Sequence, residues 1–133
     1  MKFGILAFVL AALCSFSLRA AEKFPDIAHK DMVEVVKSGK AVILDCNGSD
    51  SYKQQHIPGA LDFAVVKADL ATKLPADKSA LIIAYCGNEN CPAYKNGASA
   101  AEALGYTNIR HYSHGISGWV HEKETVEGSA ATK

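Results

Sequence analysis

The run Leu81-Ile82-Ile83-Ala84-Tyr85-Cys86 constrains the fold of this chain more than any other segment. It is short, apolar and partly β-branched, which predicts a strand that is buried on both faces. A polar loop follows at 87–90, and an alanine-rich helix is predicted at Lys95–Leu104. The strand would deliver the Cys86 thiol to the mouth of the loop, with helix amides directed back at the sulfur. A thiol placed in this way is a candidate nucleophile.

The rest of the chain alternates between strand-like and helix-like segments. Strands are predicted at Ala41–Cys46, Ala60–Phe63 and Asn108–His111 in addition to Leu81–Cys86, and helices at 31–39, 49–55, 66–74, 95–104 and 115–121. Strands and helices in turn, joined by short links, predict a mostly parallel sheet with helices on both faces. Sites in such sheets lie at the carboxyl ends of strands, where Asp45-Cys46 and Cys86 both fall.

The N-terminus has the pattern of a secretory signal peptide. Lys2 supplies a positive charge, residues 3–13 are almost wholly apolar, and 15–21 ends in small residues. The apolar run is too short for an ordinary membrane span. We expect cleavage after Ala20 or, as the alternative, after Ala21. The signal peptide then covers 1–20, and the mature protein is periplasmic or secreted without stable membrane association.

Composition limits the partners of the mature domain. Removing 20 of 133 residues leaves 113, enough for one small core, which we place at about 27–121 of a domain at 21–133. The chain has 14 basic and 14 acidic side chains, and loss of Lys2 and Arg19 leaves 12 against 14, a net charge of −2. The remaining basic residues form no cluster, which argues against a nucleic-acid partner. We expect a monomer, with the polar segment 122–133 frayed.

Three cysteines remain in the mature chain: Cys46, Cys86 and Cys91. An odd count in an exported protein means that at least one thiol is free or pairs between molecules. Cys46 is predicted to be a buried apolar thiol at the end of its strand. Cys91 has two interpretations: a resolving thiol that closes a disulfide with Cys86, or a small residue packed before Pro92. The Cys-x4-Cys spacing differs from the Cys-x2-Cys of thioredoxin-type motifs.

Four other polar residues are given structural roles or none. Asp45 is predicted to accept backbone amides of the next turn, and His56 to fix the turn before Pro58 by hydrogen bonding. His111 and His114 lie close together, but no fourth ligand is evident, so no metal is expected.

A cysteine at the end of a strand also serves phosphatases, which clamp phosphoryl oxygens with an arginine in a Cys-x5-Arg motif. Here that position holds Pro92, and no arginine lies between Cys86 and Arg110. The sequence therefore argues against phosphate or arsenate chemistry.

Five short stretches together resemble the rhodanese-like domain family. They are Val42-Ile43-Leu44-Asp45 with Tyr52 downstream, His56-Ile57-Pro58-Gly59-Ala60, Ile82-Ile83-Ala84-Tyr85-Cys86, Leu104-Gly105-Tyr106-Thr107-Asn108-Ile109 and Gly115-Ile116-Ser117-Gly118-Trp119. Each is weak alone, but their order and spacing are specific, and they extend from about Ile27 to about Trp119. The resemblance implies an α/β fold with a central, mostly parallel five-stranded sheet and a catalytic cysteine in the loop after the fourth strand.

The resemblance also implies sulfurtransferase chemistry through a cysteine persulfide, with Cys86 in the catalytic position. A thiosulfate- or polysulfide-type donor would supply sulfane sulfur, and a thiol or cyanide would remove it. Backbone amides of the loop would hold the anionic sulfur, since successive amides and a helix N-terminus supply partial positive charge. Those loop residues are Gly87, Asn88, Glu89, Asn90 and Cys91. The expected partners are a small sulfur-containing donor and a thiol acceptor, with no metal or organic cofactor.

The chain departs from the family pattern in three places. Asn47 stands where the family usually has an arginine, and the loop holds Glu89 but no cation before Lys95. The loop also looks about two residues longer than usual and contains Cys91 and Pro92. These features argue against doubly charged thiosulfate as the donor. They also support an alternative function, a non-catalytic rhodanese-fold binding or thiol redox-sensing module.

Overall fold

The computed structural model of the chain describes residues 22–132. The expected signal peptide at 1–20 lies outside the described residues, as do Ala21 and Lys133. Four strands form one sheet in which every pair of neighbours is parallel. In chain order they are β1 (Val42–Asp45), β2 (Leu61–Asp62), β3 (Ile82–Tyr85) and β4 (Ile109–Tyr112), and across the sheet they run β2-β1-β3-β4.

Helices cover both faces of this sheet, as the alternating pattern predicts. Within the described residues they are α1 (His29–Ser38), α2 (Ser49–Gln54), α3 (Phe63–Val66), α4 (Leu70–Lys73), α5 (Tyr94–Ala103) and α6 (Gly115–His121), with 3-10 turns at Lys67–Asp69 and Ser129–Thr132. Side chains alternate along the buried strands, so β3 sends Ile82 and Ala84 into one core and Ile83 and Tyr85 into the other. Cys86 belongs to the first core, the one that α5 covers.

The prediction of five strands is wrong, because the described residues form four. Beside β4, where a fifth strand would add to the sheet, Asp26 makes a single parallel bridge with His111. Ile27 N donates to His111 O at 2.8 Å, and His111 N donates to Pro25 O at 3.0 Å. The next bond would need an N–H from Pro25, which proline lacks, so the ladder stops there. Cys86 consequently follows the third strand in chain order and not the fourth.

The helix predicted at 66–74 is divided into three short pieces. Asp62 ends β2 and accepts a hydrogen bond from Ala64 N at 3.0 Å, so helical structure begins at Phe63. The backbone of Asp69, with φ −126° and ψ 27°, then interrupts it. The apolar spacing that suggested one helix still places Val66, Leu70 and Leu74 in the core, because they keep their positions on one face.

The expectation that the segment after α6 is frayed is also wrong. His56 and Glu127 form an antiparallel bridge, with N···O distances of 2.9 and 3.0 Å. Trp119 Nε1 donates to Thr125 O at 2.8 Å. The polar composition of this segment reflects its position on the surface, where its backbone still has partners. Among residues 22–132, no helix has the length and apolar character that crossing a membrane requires.

A buried hydrogen-bond chain joins the ends of β1 and β3. Tyr85 donates its hydroxyl hydrogen to Asp45 Oδ2 at 2.5 Å and accepts from Ile57 N at 3.0 Å. Asp45 Oδ1 accepts from Asn47 N at 2.8 Å and from Asn47 Nδ2 at 3.0 Å. This confirms the structural role predicted for Asp45. Burial, reinforced by the Asp45 carboxylate, raises the pKa of Tyr85, so the phenol remains protonated and able to donate.

Replacing Tyr85 with phenylalanine should destabilise the protein by about 3 kcal/mol, because it leaves Asp45 Oδ2 and Ile57 N buried without their partner. Urea unfolding followed by circular dichroism measures the loss. Tyr94→Phe is the matched control, since the Tyr94 hydroxyl has no hydrogen bond within residues 22–132 and the residue is also buried. Equal losses in the two variants would show that the Tyr85 hydroxyl contributes nothing specific.

Candidate active site

Cys86 is fixed at the carboxyl end of β3, with 1% of its surface exposed. The first turn of α6 holds the backbone at this point: Ile116 N donates to Cys86 O at 2.9 Å, and Ser117 N donates to Gly87 O at 3.0 Å. Gly115 permits the close approach, since a Cβ on it would lie 2.5 Å from the Cys86 carbonyl oxygen, and its φ is +60°. The base of the site, formed by the end of β3 and the first turn of α6, is therefore held by hydrogen bonds from helix amides to the carbonyl oxygens of Cys86 and Gly87.

The loop from Gly87 to Cys91 folds back over Cys86. Asn88 directs the fold, because its carbonyl oxygen accepts from Cys91 N at 3.1 Å and its side-chain Oδ1 accepts from Asn90 N at 2.9 Å. The Cα atoms of Cys86 and Cys91 lie 6.2 Å apart, within disulfide range, and their sulfurs are bonded to each other. Cys86 Sγ also lies 3.1 Å from the Cys91 carbonyl oxygen. The site is thus described in its oxidised form.

Two of the five amides predicted to bind anionic sulfur are used within the loop. Asn90 N and Cys91 N both donate to Asn88. The amides of Gly87, Asn88 and Glu89 are the three that come first after Cys86 along the chain. Their role in binding sulfur stays a prediction, as do the catalytic role of Cys86 and the resolving role of Cys91. The side chains of Asn88, Glu89 and Asn90 are exposed.

Tyr85 is the important residue that sequence reasoning missed. The sequence pattern assigns Tyr85 no role beyond that of a strand residue, although Cys86 follows it directly. A signal for it existed, because a phenol inside an otherwise apolar buried run needs a hydrogen-bond partner. The carboxylate at the end of β1 supplies that partner, and Asp45 is the register neighbour of Tyr85 in the sheet.

His56 has the turn-fixing role predicted for it. Its Nδ1 lies 2.7 Å from Tyr52 O, and its Nε2 lies 3.2 Å from Glu127 Oε2. The ring also stacks on Tyr52, with 3.7 Å between centroids. These contacts hold the turn at 56–60, which in turn supplies Ile57 N to the Tyr85 hydroxyl.

Cys46 stands apart from the disulfide as a free thiol. It is half-buried, less than the full burial predicted, because the end of β1 is open toward a cavity of about 320 Å³ lined in part by Phe63 and Lys67. Its Sγ lies 3.9 Å from both Leu44 O and Tyr94 O. Burial raises the pKa of Cys46 to about 12, and the Asp45 charge adds to the rise while a hydrogen bond from Gly97 opposes it. Such a thiol is a poor nucleophile at neutral pH.

A cavity of about 270 Å³ opens beside Cys91. Its lining carries two carboxylates and one ammonium group. The lining residues are Glu22, Glu89, Asn90, Cys91, Pro92, Tyr94, Lys95, His111 and Ser113. The surroundings of the exposed side of the disulfide are therefore not strongly cationic.

The two histidines near the end of β4 have separate environments. His111 is buried and stacks on Tyr94 with 3.3 Å between ring centroids, and burial lowers its pKa. His114 stacks on His29 with 6.2 Å between ring centroids. No cluster of three His, Cys, Asp or Glu side chains within residues 22–132 is arranged to hold a metal ion.

The chain is similar to known proteins in sequence and in fold. The family model of the rhodanese-like domain matches residues 28–122. Thiosulfate sulfurtransferase GlpE of Coxiella burnetii is 33% identical over 63 residues, which are 47% of this chain. The chain spans 58% of the length of that curated relative.

Solved structures give the same picture of the fold. The rhodanese-like domain of an Anabaena protein has a TM-score of 0.65 and 16% identity, with 82% of this chain and 83% of that chain covered. A thiosulfate sulfurtransferase from Pseudomonas aeruginosa has a TM-score of 0.62 and 21% identity over 79% of this chain and 20% of that one. A Bacillus halodurans protein has a TM-score of 0.57 and 26% identity, with 80% and 78% covered. The family match spans the sheet, the Cys86 loop and α6, and the chain therefore belongs to the rhodanese-like domain family.

Proposed function

We propose that this protein is a sulfurtransferase in which Cys86 carries sulfane sulfur as a persulfide. The position of Cys86 carries the proposal: it ends a buried central strand and lies under a loop whose first amides follow it directly. The similarity to proteins named thiosulfate sulfurtransferase supports the same class of reaction.

The reaction begins from the reduced site. The Cys86 thiolate attacks the outer sulfur of a persulfide donor, the donor's sulfur–sulfur bond breaks, and a thiolate leaves. The amides of Gly87, Asn88 and Glu89 stabilise the new terminal sulfur anion. An acceptor thiolate or cyanide then attacks that outer sulfur and releases the Cys86 thiolate for another cycle.

The charges around the loop favour a donor that carries one negative charge. Asn47, whose side chain is uncharged and donates to Asp45, stands where the family usually has a cation. The cavity beside Cys91 holds Glu22 and Glu89 against the single ammonium of Lys95. A persulfide or short polysulfide suits these surroundings better than the doubly charged thiosulfate.

The disulfide must be opened before sulfur is loaded, because Cys86 has no free thiol while it is bonded to Cys91. Export, which the residues at 1–20 predict, would place the pair in an oxidising compartment where disulfides persist. The bond also favours a second candidate function, a thiol redox sensor that keeps the fold without transferring sulfur. Persulfide loading of the reduced protein distinguishes the two.

Substituting Cys86 with serine should abolish persulfide formation, because no other thiol ends β3. The test is made in Cys91→Ser protein, in which no disulfide with Cys86 can form: the protein is reduced, freed of reductant and treated with a polysulfide, and mass spectrometry measures the gain of one sulfur on the Cys86 peptide. Cys46→Ser in the same background is the matched control and should load as Cys91→Ser alone does. Equal loading with Cys86 present and with Cys86→Ser would refute the assignment, and no loading in any variant would favour the redox sensor.

Cys46 should resist alkylation in the folded protein. With its pKa near 12 against 9.0 for an ordinary cysteine, the thiolate fraction at pH 8 falls about a thousandfold. Iodoacetamide labelling of the reduced protein, in buffer and in urea, measures the difference by peptide mass. Labelling of Cys46 at the same rate in both conditions would contradict the burial argument. The same shift lowers stability as the pH rises from 9 toward 12, since only the unfolded state ionises there.

A further inference from the structure

The pair Cys86–Cys91 supplies an acceptor for the persulfide within the loop itself. We propose that Cys91 displaces the outer sulfur of the Cys86 persulfide as sulfide, so that the protein reduces sulfane sulfur as well as transferring it. The proposal rests on the persulfide proposed for Cys86. The disulfide is then the state of the cysteine pair at the end of a turnover. The substrate is a persulfide or a polysulfide, and sulfide is the product.

The loop already has the geometry of the product of this step, the Cys86–Cys91 disulfide. The two Cα atoms lie 6.2 Å apart with the sulfurs bonded, and the turn at Asn88 holds Cys91 over Cys86. The Cys91 sulfur can therefore reach the inner sulfur of the persulfide through loop motion alone, while β3 and α6 stay in place. An attacking group held in this position has a large advantage over a thiol in solution.

The step balances without an external reagent. The Cys91 thiolate attacks Cys86 Sγ, the inner sulfur of the persulfide, and a Cys86–Cys91 bond forms. The bond between the inner and outer sulfurs breaks, and the outer sulfur takes up the proton that Cys91 lost on becoming a thiolate and leaves with both electrons as hydrosulfide. The outer sulfur is reduced and the cysteine pair is oxidised to the disulfide. A dithiol reductant then reopens the disulfide for the next turnover.

Access decides where that reductant attacks. Cys86 is 1% exposed, whereas Cys91 is half-buried and lines the cavity of about 270 Å³. An incoming thiolate reaches the Cys91 sulfur first, forms a mixed disulfide there and releases Cys86 as the thiolate. Each cysteine thus has one function: Cys86 accepts sulfur, and Cys91 is the sulfur that the reductant attacks.

A single-turnover experiment tests the proposal. The full mature protein is reduced, freed of reductant under anaerobic conditions and mixed with one equivalent of glutathione persulfide whose outer sulfur is isotopically labelled. The label is then followed in free sulfide and on Cys86, and the Cys86–Cys91 linkage is mapped by peptide mass. Donor alone provides the background for sulfide release.

The wild type should release the label as sulfide and end as the disulfide, and Cys46→Ser should behave in the same way. Cys91→Ser keeps the backbone amide at this position but lacks the thiol. The label taken up by this variant should therefore remain on Cys86, and it should release sulfide about tenfold or more slowly than the wild type. Wild-type protein that keeps the label as persulfide and forms no disulfide would overturn the inference while leaving the sulfurtransferase proposal intact. Absence of label on Cys86 in Cys91→Ser would overturn both.

Discussion

The hydrogen bonds of the Tyr85 hydroxyl hold the candidate site together. This one group joins three segments that are distant in sequence: the end of β1 through Asp45, the end of β3 through its own backbone, and the turn at 56–60 through Ile57 N. Tyr85 and Asp45 are both 0% exposed, so neither can exchange its partner for water. Because Cys86 is the next residue along the chain, its position follows from this buried network.

The site divides into a fixed base and a loop that can change its bonding. The base consists of the end of β3 and the first turn of α6, joined by amide-to-carbonyl hydrogen bonds at Cys86 and Gly87. The loop above it is closed by the Asn88 turn and by the disulfide. Opening the disulfide would break a bond in the loop but none in the base. The hydrogen bonds that hold the backbone of Cys86 and Gly87 are therefore separate from the bond between Cys86 and Cys91.

The sequence predicted the parts of the fold that depend on local pattern. The apolar runs located β1 and β3 to within two residues, and α6 was predicted with the bounds it has. The prediction of a fifth strand was wrong because Pro25 lacks the backbone N–H that would extend the ladder beside β4. The Tyr85 network was not predicted, since its partners lie 28 and 40 residues away. The spacing of Cys86 and Cys91 also does not decide whether the two form a disulfide, because that depends on how Asn88 turns the loop.

The odd number of cysteines in the described chain makes physical sense once their environments are compared. A third thiol near a reactive pair is a hazard, because a thiolate can exchange with the disulfide and scramble it. Two features keep Cys46 from exchanging with the disulfide. Its sulfur packs near Leu44 and Tyr94, and its pKa of about 12 leaves almost no thiolate at neutral pH. The same burial that makes Cys46 inert therefore protects the pairing of Cys86 with Cys91. Of the three cysteines in the described residues, Cys46 is therefore the one that burial keeps out of thiol–disulfide exchange.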